Sequence, residues 1–295
     1  MKKILMAIAS AALACGIGFA AVGCGGSDGT TIVVYNREPG SGTRDAFIEL
    51  LGIEATELYA GAAQHSSTGA VVQAVAGNAD SIGYVSLGSV DTTVKALSVD
   101  GVAPSEETVA SGDYTVSRPF ELMYQKENDS DLLADFLKYL ASSDAQEIIA
   151  DEGYVSIAKN PVDYTAPASL EDTDLTLSGS TSVGPLMTKL VEDYKTKVGM
   201  DVTISVGEGG SGKGIQNAED GTSDIGMASK EVTEADFNDG SKMNITQLCS
   251  DGIAVIVNPS NSVTNITKDD LKKIYTEQIT SWEDIEGWVA PTTEE

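Results

Sequence analysis

Four times in this 295-residue chain a short apolar run ends in a loop of glycine, serine and threonine that opens a stretch of helical character. In the clearest copy, TIVVYN-REPGSGTRDAF, Thr31 to Asn36 reads as a buried β-branched strand, Arg37 to Thr43 as a turn, and Arg44 onward as helix. The other copies are HSSTGAVVQAV, LTLSGSTSVGPLM and DVTISVGEGGSGKG. Strands alternating with helices in this way predict an α/β fold with a largely parallel sheet. A helix N-terminus leaves its first N–H groups unpaired and carries partial positive charge, so a turn of glycines and hydroxyls there can wrap an anion. Arg37 adds the full positive charge such a cradle needs.

Each loop also has a plainer reading. Ser180, Thr181 and Ser182 precede a helix whose first turn holds Pro185, and serine and threonine are good N-caps in their own right. Ser66, Ser67 and Thr68 are explained by capping alone. Gly207 to Gly214 surrounds Ser211 with glycines that let a backbone approach a ligand. Gly207 through Lys213 also fits the first seven positions of a nucleotide-binding P-loop, but Gly214 stands where a magnesium-holding Ser or Thr is required, which argues against a nucleotidase. His65 is the only histidine; no G-x-S-x-G elbow accompanies it, and a surface position is expected. Neither a Cys/His cluster nor a calcium-loop pattern occurs, so no metal or cofactor is expected.

The length suits two domains, and the formal charge of -27 argues against nucleic acid and against attraction to anionic lipid. An anion must then be held by short-range donors, with distant acidic groups screened beyond about 8–10 Å. Lys2 and Lys3 followed by an apolar stretch ending in AVGC predict an export signal with a lipid-modified Cys24 and a tether to residue 29, the alternative being a plain membrane anchor. Cys249, left alone, is expected to be a small buried hydrophobe.

Further along, Thr68 to Ala76 reads as helix, Ser81 to Leu87 as strand, and SRPFELMYQ (117–125) and DGIAVIVNPS (251–260) as long apolar runs. Asp131 to Asp151 has helical spacing of Leu132, Leu133, Phe136, Leu137, Leu140, Ile148 and Ile149. Residues 160–173, with two prolines, read as a linker.

Together GSTSVGPLM, GEGGSGKGIQ, SDIGMASKE, DGIAVIVNPSN, ITSWEDIEG, REPGSGTRDAF, SSTGAVVQAVAG, IGYVSLGSV and VSRPFELM resemble the phosphate-binding protein of the high-affinity phosphate ABC transporter, across about residues 30–288. The resemblance implies a two-domain periplasmic-binding-protein-like (type II) α/β fold, with ligand held between domains joined by two hinge crossovers. Its segments run here in the opposite order, which implies a circular permutation with residues 160–173 as the junction. The crossovers map to SRPFELMYQ and DGIAVIVNP, giving a continuous domain over 117–251 and a discontinuous one over 30–116 plus 252–295.

Carried over by motif, Thr181, Ser182 and Ser211 would bind phosphate from one domain, and Arg37, Ser41, Gly42 and Thr43 from the other, with Gly40, Ser229 and Asp251 as further candidates. Two departures stand out. An aspartate that members often carry is replaced by Ser229-Lys230, and an acid often beside the arginine by Pro39. Asp251 is the candidate for the missing proton acceptor, a purely structural aspartate being the alternative. The implied function is a lipid-anchored, extracytoplasmic, monomeric receptor that catalyses nothing and hands inorganic phosphate to a membrane permease. The competing expectations are a receptor for another oxyanion such as sulfate, a surface sensor or adhesion protein, and an exported hydrolase built on His65.

Overall fold

A computed structural model describes residues 30–290; the export signal and Cys24 lie outside the described residues. The chain begins with β1 (Val33–Arg37), α1 (Gly42–Leu50), β2 (Ala63–His65), α2 (Thr68–Ala76) and β3 (Ser81–Ser86). Two short strands follow, β4 (Lys95–Ala96) and β5 (Ser98–Val99), then α3 (Glu106–Ser111) and the long β6 (Ser117–Gln125). Next come α4 (Asp131–Leu140), α5 (Ser143–Asp151), β7 (Asp174–Gly179), α6 (Gly184–Val198), β8 (Thr203–Glu208), α7 (Ser211–Glu219) and β9 (Ile225–Ala228). The 15-residue β10 (Met243–Val257), β11 (Asn265–Ile266) and α8 (Lys268–Tyr275) complete it.

All four strand–loop–helix units form where the sequence places them. The order across the main sheet is β2-β1-β3-β10-β6-β9-β7-β8. β1 pairs in parallel with β2 and β3, and β7 in parallel with β8 and β9, so each end of the sheet is a parallel α/β unit. Between them β6 and β10 run antiparallel. Residues 253–257 of β10 pair with β3, while residues 243–252 pair with β6. One strand therefore belongs to both halves.

The apolar residues segregate accordingly. One set joins Ile32, Phe47, Tyr84 and Val116 to Ile253, Tyr275 and Trp282; another joins Phe120, Phe136, Tyr194 and Met227 to Cys249. Smaller sets cover the opposite sheet faces, one under α2 and one under α7. Strands covered on both faces read as continuous apolar runs, as IGYVS and GIAVIV do.

The structure refines several expectations. The helical span 131–151 is two helices, because Ser142 takes a new N-cap: its hydroxyl accepts from Ala145 N–H. β10 starts eight residues before Asp251, since ITQLC alternates against β6 with a bulge between Gln247 and Cys249. Cys249 is fully buried as expected. Residues 160–173 contain no helix or strand, yet they are anchored: the Tyr164 hydroxyl donates to Asp135, which Tyr194 also reaches at 2.9 Å.

The two ends of the described chain meet. Trp282 N–H donates to the Thr30 carbonyl at 2.7 Å and Ile32 N–H to that of Thr280 at 2.9 Å. The Trp282 ring is fully buried, with Nε1 donating to the Asp80 carbonyl at 2.8 Å. Among the described residues no helix is long and apolar enough to cross a membrane.

Trp282→Ala removes a buried aromatic and that hydrogen bond together. It should destabilise the protein by about 3–5 kcal/mol, read as a lower urea midpoint for loss of near-UV circular dichroism.

Candidate functional site

The four loops converge. The N-termini of α1 and α2 from one half face those of α6 and α7 from the other, across a cluster of buried hydroxyls. Thr43 Oγ1 lies 3.0 Å from Ser182 Oγ and 3.4 Å from Ser229 Oγ. Thr68 Oγ1 lies 2.9 Å from Ser182 Oγ and 3.3 Å from Thr181 Oγ1, and its N–H donates to Thr181 Oγ1. Ser180 donates to Ser229 at 2.9 Å, and Ser229 N–H to Ser211 Oγ at 3.1 Å. Ser180 Oγ turns back to accept from Ser182 and Val183 N–H at 3.1 and 3.4 Å, while Thr181, Ser182 and Ser211 present their hydroxyls to those of facing and neighbouring loops.

The halves are drawn tightly together here. Gly212 N–H of α7 donates to the Gly40 carbonyl at 3.0 Å. Gly40 has φ +90°, a turn conformation that favours glycine, and at Gly42 a Cβ would lie 2.3 Å from Ser211 Oγ. Glycine at 42 is thus a condition of contact between the halves.

Arg37 is buried, 2% exposed. Its Nη1 donates to Thr68 Oγ1 at 3.3 Å, Nε to the His65 carbonyl at 3.1 Å, and Nη2 to Glu38 Oε1 at 3.0 Å, with Nε also 3.2 Å from Glu38 Oε2. Glu38 therefore provides, one residue earlier, a carboxylate partner that the proline at 39 cannot. The loop is held from beneath: Tyr84, stacked on Phe47 at 4.0 Å, donates to Asn36 Oδ1 and receives the Arg37 N–H. Ser41 caps α1, its hydroxyl accepting from Arg44 N–H at 3.3 Å and keeping its own proton to donate.

A second buried cation had not been expected. Arg118 of β6, 4% exposed, donates from Nη2 to Thr43 Oγ1 at 3.1 Å, on the opposite side of the cluster from Arg37. The same nitrogen is 3.2 Å from Asp251 Oδ2 without hydrogen-bond geometry. Asp251, wholly buried in β10, accepts from Leu87 N–H at 3.2 Å and touches Arg118 rather than the hydroxyls. Its place is one residue removed from the cluster. Thr68 and Ser180 join the same hydroxyl cluster, Thr68 from the loop for which capping was the plainer reading. His65 is not on the surface: it is half-buried with its ring edge-on to Tyr35, and only its carbonyl serves the site. Lys230 lies outside the hydroxyl cluster, pairing with Asp236 at 2.9 Å and reaching Asp45 of α1 at 4.0 Å.

The chemistry of this donor set is anion capture. Two guanidinium groups and clustered hydroxyls offer many donors, and the carboxylates of Glu38 and Asp251 are each already committed to an arginine. Among the described residues no group of His, Cys, Asp and Glu could hold a metal ion.

Comparison with known proteins agrees. The sequence profile of the PBP superfamily domain matches residues 18–144 and 165–294. The phosphate-binding protein PstS 2 of Streptococcus pneumoniae (serotype 4, TIGR4) is 36% identical over 282 residues, covering 91% of this chain and 94% of that one. This chain belongs to the PBP superfamily, in the PstS family. PstS 2 of Streptococcus agalactiae serotype V is also 36% identical, over 86% of this chain and 88% of that one. The crystal structure of a phosphate ABC transporter phosphate-binding protein from S. pneumoniae TIGR4 superposes with a TM-score of 0.69 at 37% identity, covering 87% of this chain and all of that one. A two-domain periplasmic-binding-protein fold accounts for the paired α/β halves and the strand they share.

Burial pushes the Asp251 carboxyl up from 3.8 to about 6, Arg118 and the Ser86–Gly88 donors only partly offsetting it. The folded protein thus holds this proton more tightly than the unfolded chain. The contribution of Asp251 to stability is greatest at low pH and declines as pH rises from about 4 to 6. The stability of the unmodified protein relative to Asp251→Asn should fall over that window, by on the order of 3 kcal/mol, in urea titrations at successive pH values.

Proposed function

We propose that this protein binds inorganic phosphate between its two domains, at the cluster formed by Arg37, Gly40, Ser41, Gly42, Thr43, Thr181, Ser182, Ser211 and Ser229, and delivers it to an ABC permease. The observation that carries the reading is the convergence of four helix N-termini and a buried arginine on hydroxyls contributed by both halves. The names of its relatives point the same way, each being a phosphate-binding protein. The boundaries proposed for the two domains are 30–116 plus 252–295 and 117–251. They follow the segregation of apolar side chains, one set drawing on residues 32–116 and 253–285, the other on 120–249. β6 and β10 are then the crossovers about which the domains close.

Export and lipid attachment at Cys24, with action outside the cytoplasm as a monomer, complete the reading; the lipobox-like AVGC supports them. The order of the segments is proposed as a circular permutation. Permutation is tolerated where termini lie close together at the surface. The pairing of Thr30 with Trp282 and the irregular stretch 160–173 provide those conditions.

Calorimetric titration of phosphate into the full chain should show saturable binding. Arg37→Ala should weaken it by about 1.5–3 kcal/mol or more, roughly ten- to more than a hundredfold. Absence of binding heat and of any thermal stabilisation by phosphate in the unmodified protein would remove this reading. Gly42→Ala tests closure separately. Its methyl group meets Ser211 across the cleft, so phosphate affinity should drop while unfolding in the absence of phosphate stays within about 1 kcal/mol.

A further inference from the structure

Arg118 stands out among the buried polar side chains. Burial of a charge is tolerated when its donors are matched, yet Nε and Nη1 of Arg118 have no partner, although the side chain is almost wholly buried. The remaining nitrogen reaches Thr43, a hydroxyl shared with Ser182 and Ser229 at the centre of the cluster. Its guanidinium is planar and rigid and packs over the Phe120 ring at 5.3 Å, so the two donors without a hydrogen bond are held in one plane with the nitrogen that reaches Thr43. Behind it the Asp251 Oδ2 also lacks a hydrogen bond. A buried ion pair with three unmatched polar atoms is costly, and the cost is understandable where a ligand completes the set.

We propose that Arg118 is a second anion-contacting cation of the cleft, and that Asp251 behind it is a proton-linked counter-charge that takes up a proton when an anion occupies Arg118. The proposal rests on the phosphate reading above and adds to it a second arginine and a pH dependence. The logic is electrostatic. With Asp251 ionised, Arg118 is neutralised and attracts an anion weakly. An incoming anion competes for the guanidinium and repels the carboxylate, and the protonation of Asp251 relieves that repulsion. The one bond formed is the O–H of the Asp251 carboxyl, and its proton is taken up from solvent.

The surroundings of Asp251 leave it as the group that titrates. Facing it are Arg118 from β6, Tyr114 from the segment before β6, Tyr154 from the turn after α5, Cys249 from its own strand, and Ser86, Leu87 and Gly88 from the end of β3. Burial raises both tyrosine hydroxyls and the Cys249 thiol, so these stay neutral near neutral pH. Arg118 is lowered by burial and by the nearby Arg37, with Asp251 opposing that. The Asp251 carboxyl, pushed up to about 6, is already poised near neutrality.

The test measures phosphate affinity and proton uptake by calorimetry, from pH 5.5 to 8.5 and in buffers of different ionisation enthalpy, on the full chain and on variants. Arg118→Lys should weaken binding tenfold or more, since a point charge does not reproduce a planar fork. Arg118→Gln alone risks stranding a buried carboxylate, so the double variant Arg118→Gln/Asp251→Asn, with neutral near-isosteres at both positions, carries the decision. It should fold and bind at least tenfold more weakly. Asp251→Asn should take up fewer protons on binding. The ratio of wild-type to Asp251→Asn affinity should fall as pH rises from 6 to 8, by about tenfold for each unit by which the bound anion raises the carboxyl. Taking the ratio removes phosphate's own titration. A folded double variant with unaltered affinity, or Asp251→Asn with wild-type proton uptake and pH profile, overturns the proposal. Either result leaves the phosphate reading standing so long as the unmodified protein binds and Arg37→Ala binds at least tenfold more weakly; failure of the unmodified protein to bind would end both.

Discussion

Two guanidinium groups inside one buried hydroxyl cluster define the electrostatic problem that the rest of this structure solves. A charge removed from water is tolerated when it is paired, and each arginine brings its own carboxylate from outside the cluster: Glu38 for Arg37, Asp251 for Arg118. The two pairs are not alike. Glu38 is 28% exposed and grips the outer edge of its arginine with two oxygens, whereas Asp251 is fully buried and meets its arginine at a single nitrogen. The first pair can share its charge with water. The second has only the protein to balance it, which is why its carboxyl is raised.

The sheet is what brings these groups together. Parallel strands point their carboxyl ends the same way, and the loops leaving those ends carry the Arg37, Thr68, Thr181 and Ser211 turns. β6 and β10 belong to neither parallel unit alone, so a residue at their crossing point stands at the base of the cleft. Arg118 and Asp251 are directly paired in the β6–β10 register, at the step where β10 passes from one partner strand to the other. A rigid-body movement of the halves about these strands would change the distance between Thr43 and Ser182 while leaving Arg118 opposite Asp251. On the proposed closure about β6 and β10 the buried ion pair would stand at the pivot, where closure disturbs it least.

Much of this was legible in the sequence because it depends on local signals. Periodicity and glycine-rich punctuation marked all four loop-to-helix openings, three of them with the strand before, and α2 at its observed limits. The unread parts are those that tertiary context decides. β2, β4, β5 and α3 are short, and their sequences carry no strong period. Thr68 reads as a cap, yet Ser67 caps α2 and thereby frees the Thr68 hydroxyl for the cleft. Glu38 could have been weighed as a substitute for the acid absent at Pro39, being adjacent to the arginine it serves. Arg118 carried a usable signal too: an arginine within the apolar run SRPFELM is one that burial obliges to find a partner. What no one-dimensional pattern offers is that the partner is Asp251, 133 positions away on another strand.

The overall acidity of the chain sharpens the role of the site. At -27 the protein as a whole repels anions, and only groups within a Debye length act strongly on one in the cleft. Arg37 and Arg118 are each paired with a carboxylate, so net attraction is not the main source of binding. Directional donors must supply it, namely hydroxyls, helix N-termini and guanidinium edges, and these act over a hydrogen-bond length and demand geometry. A neutral, donor-rich cavity in an acidic protein captures an anion by fit rather than by field. One proton more or less then matters, because a proton on Asp251 removes the carboxylate that offsets Arg118 and leaves that guanidinium's charge to the anion.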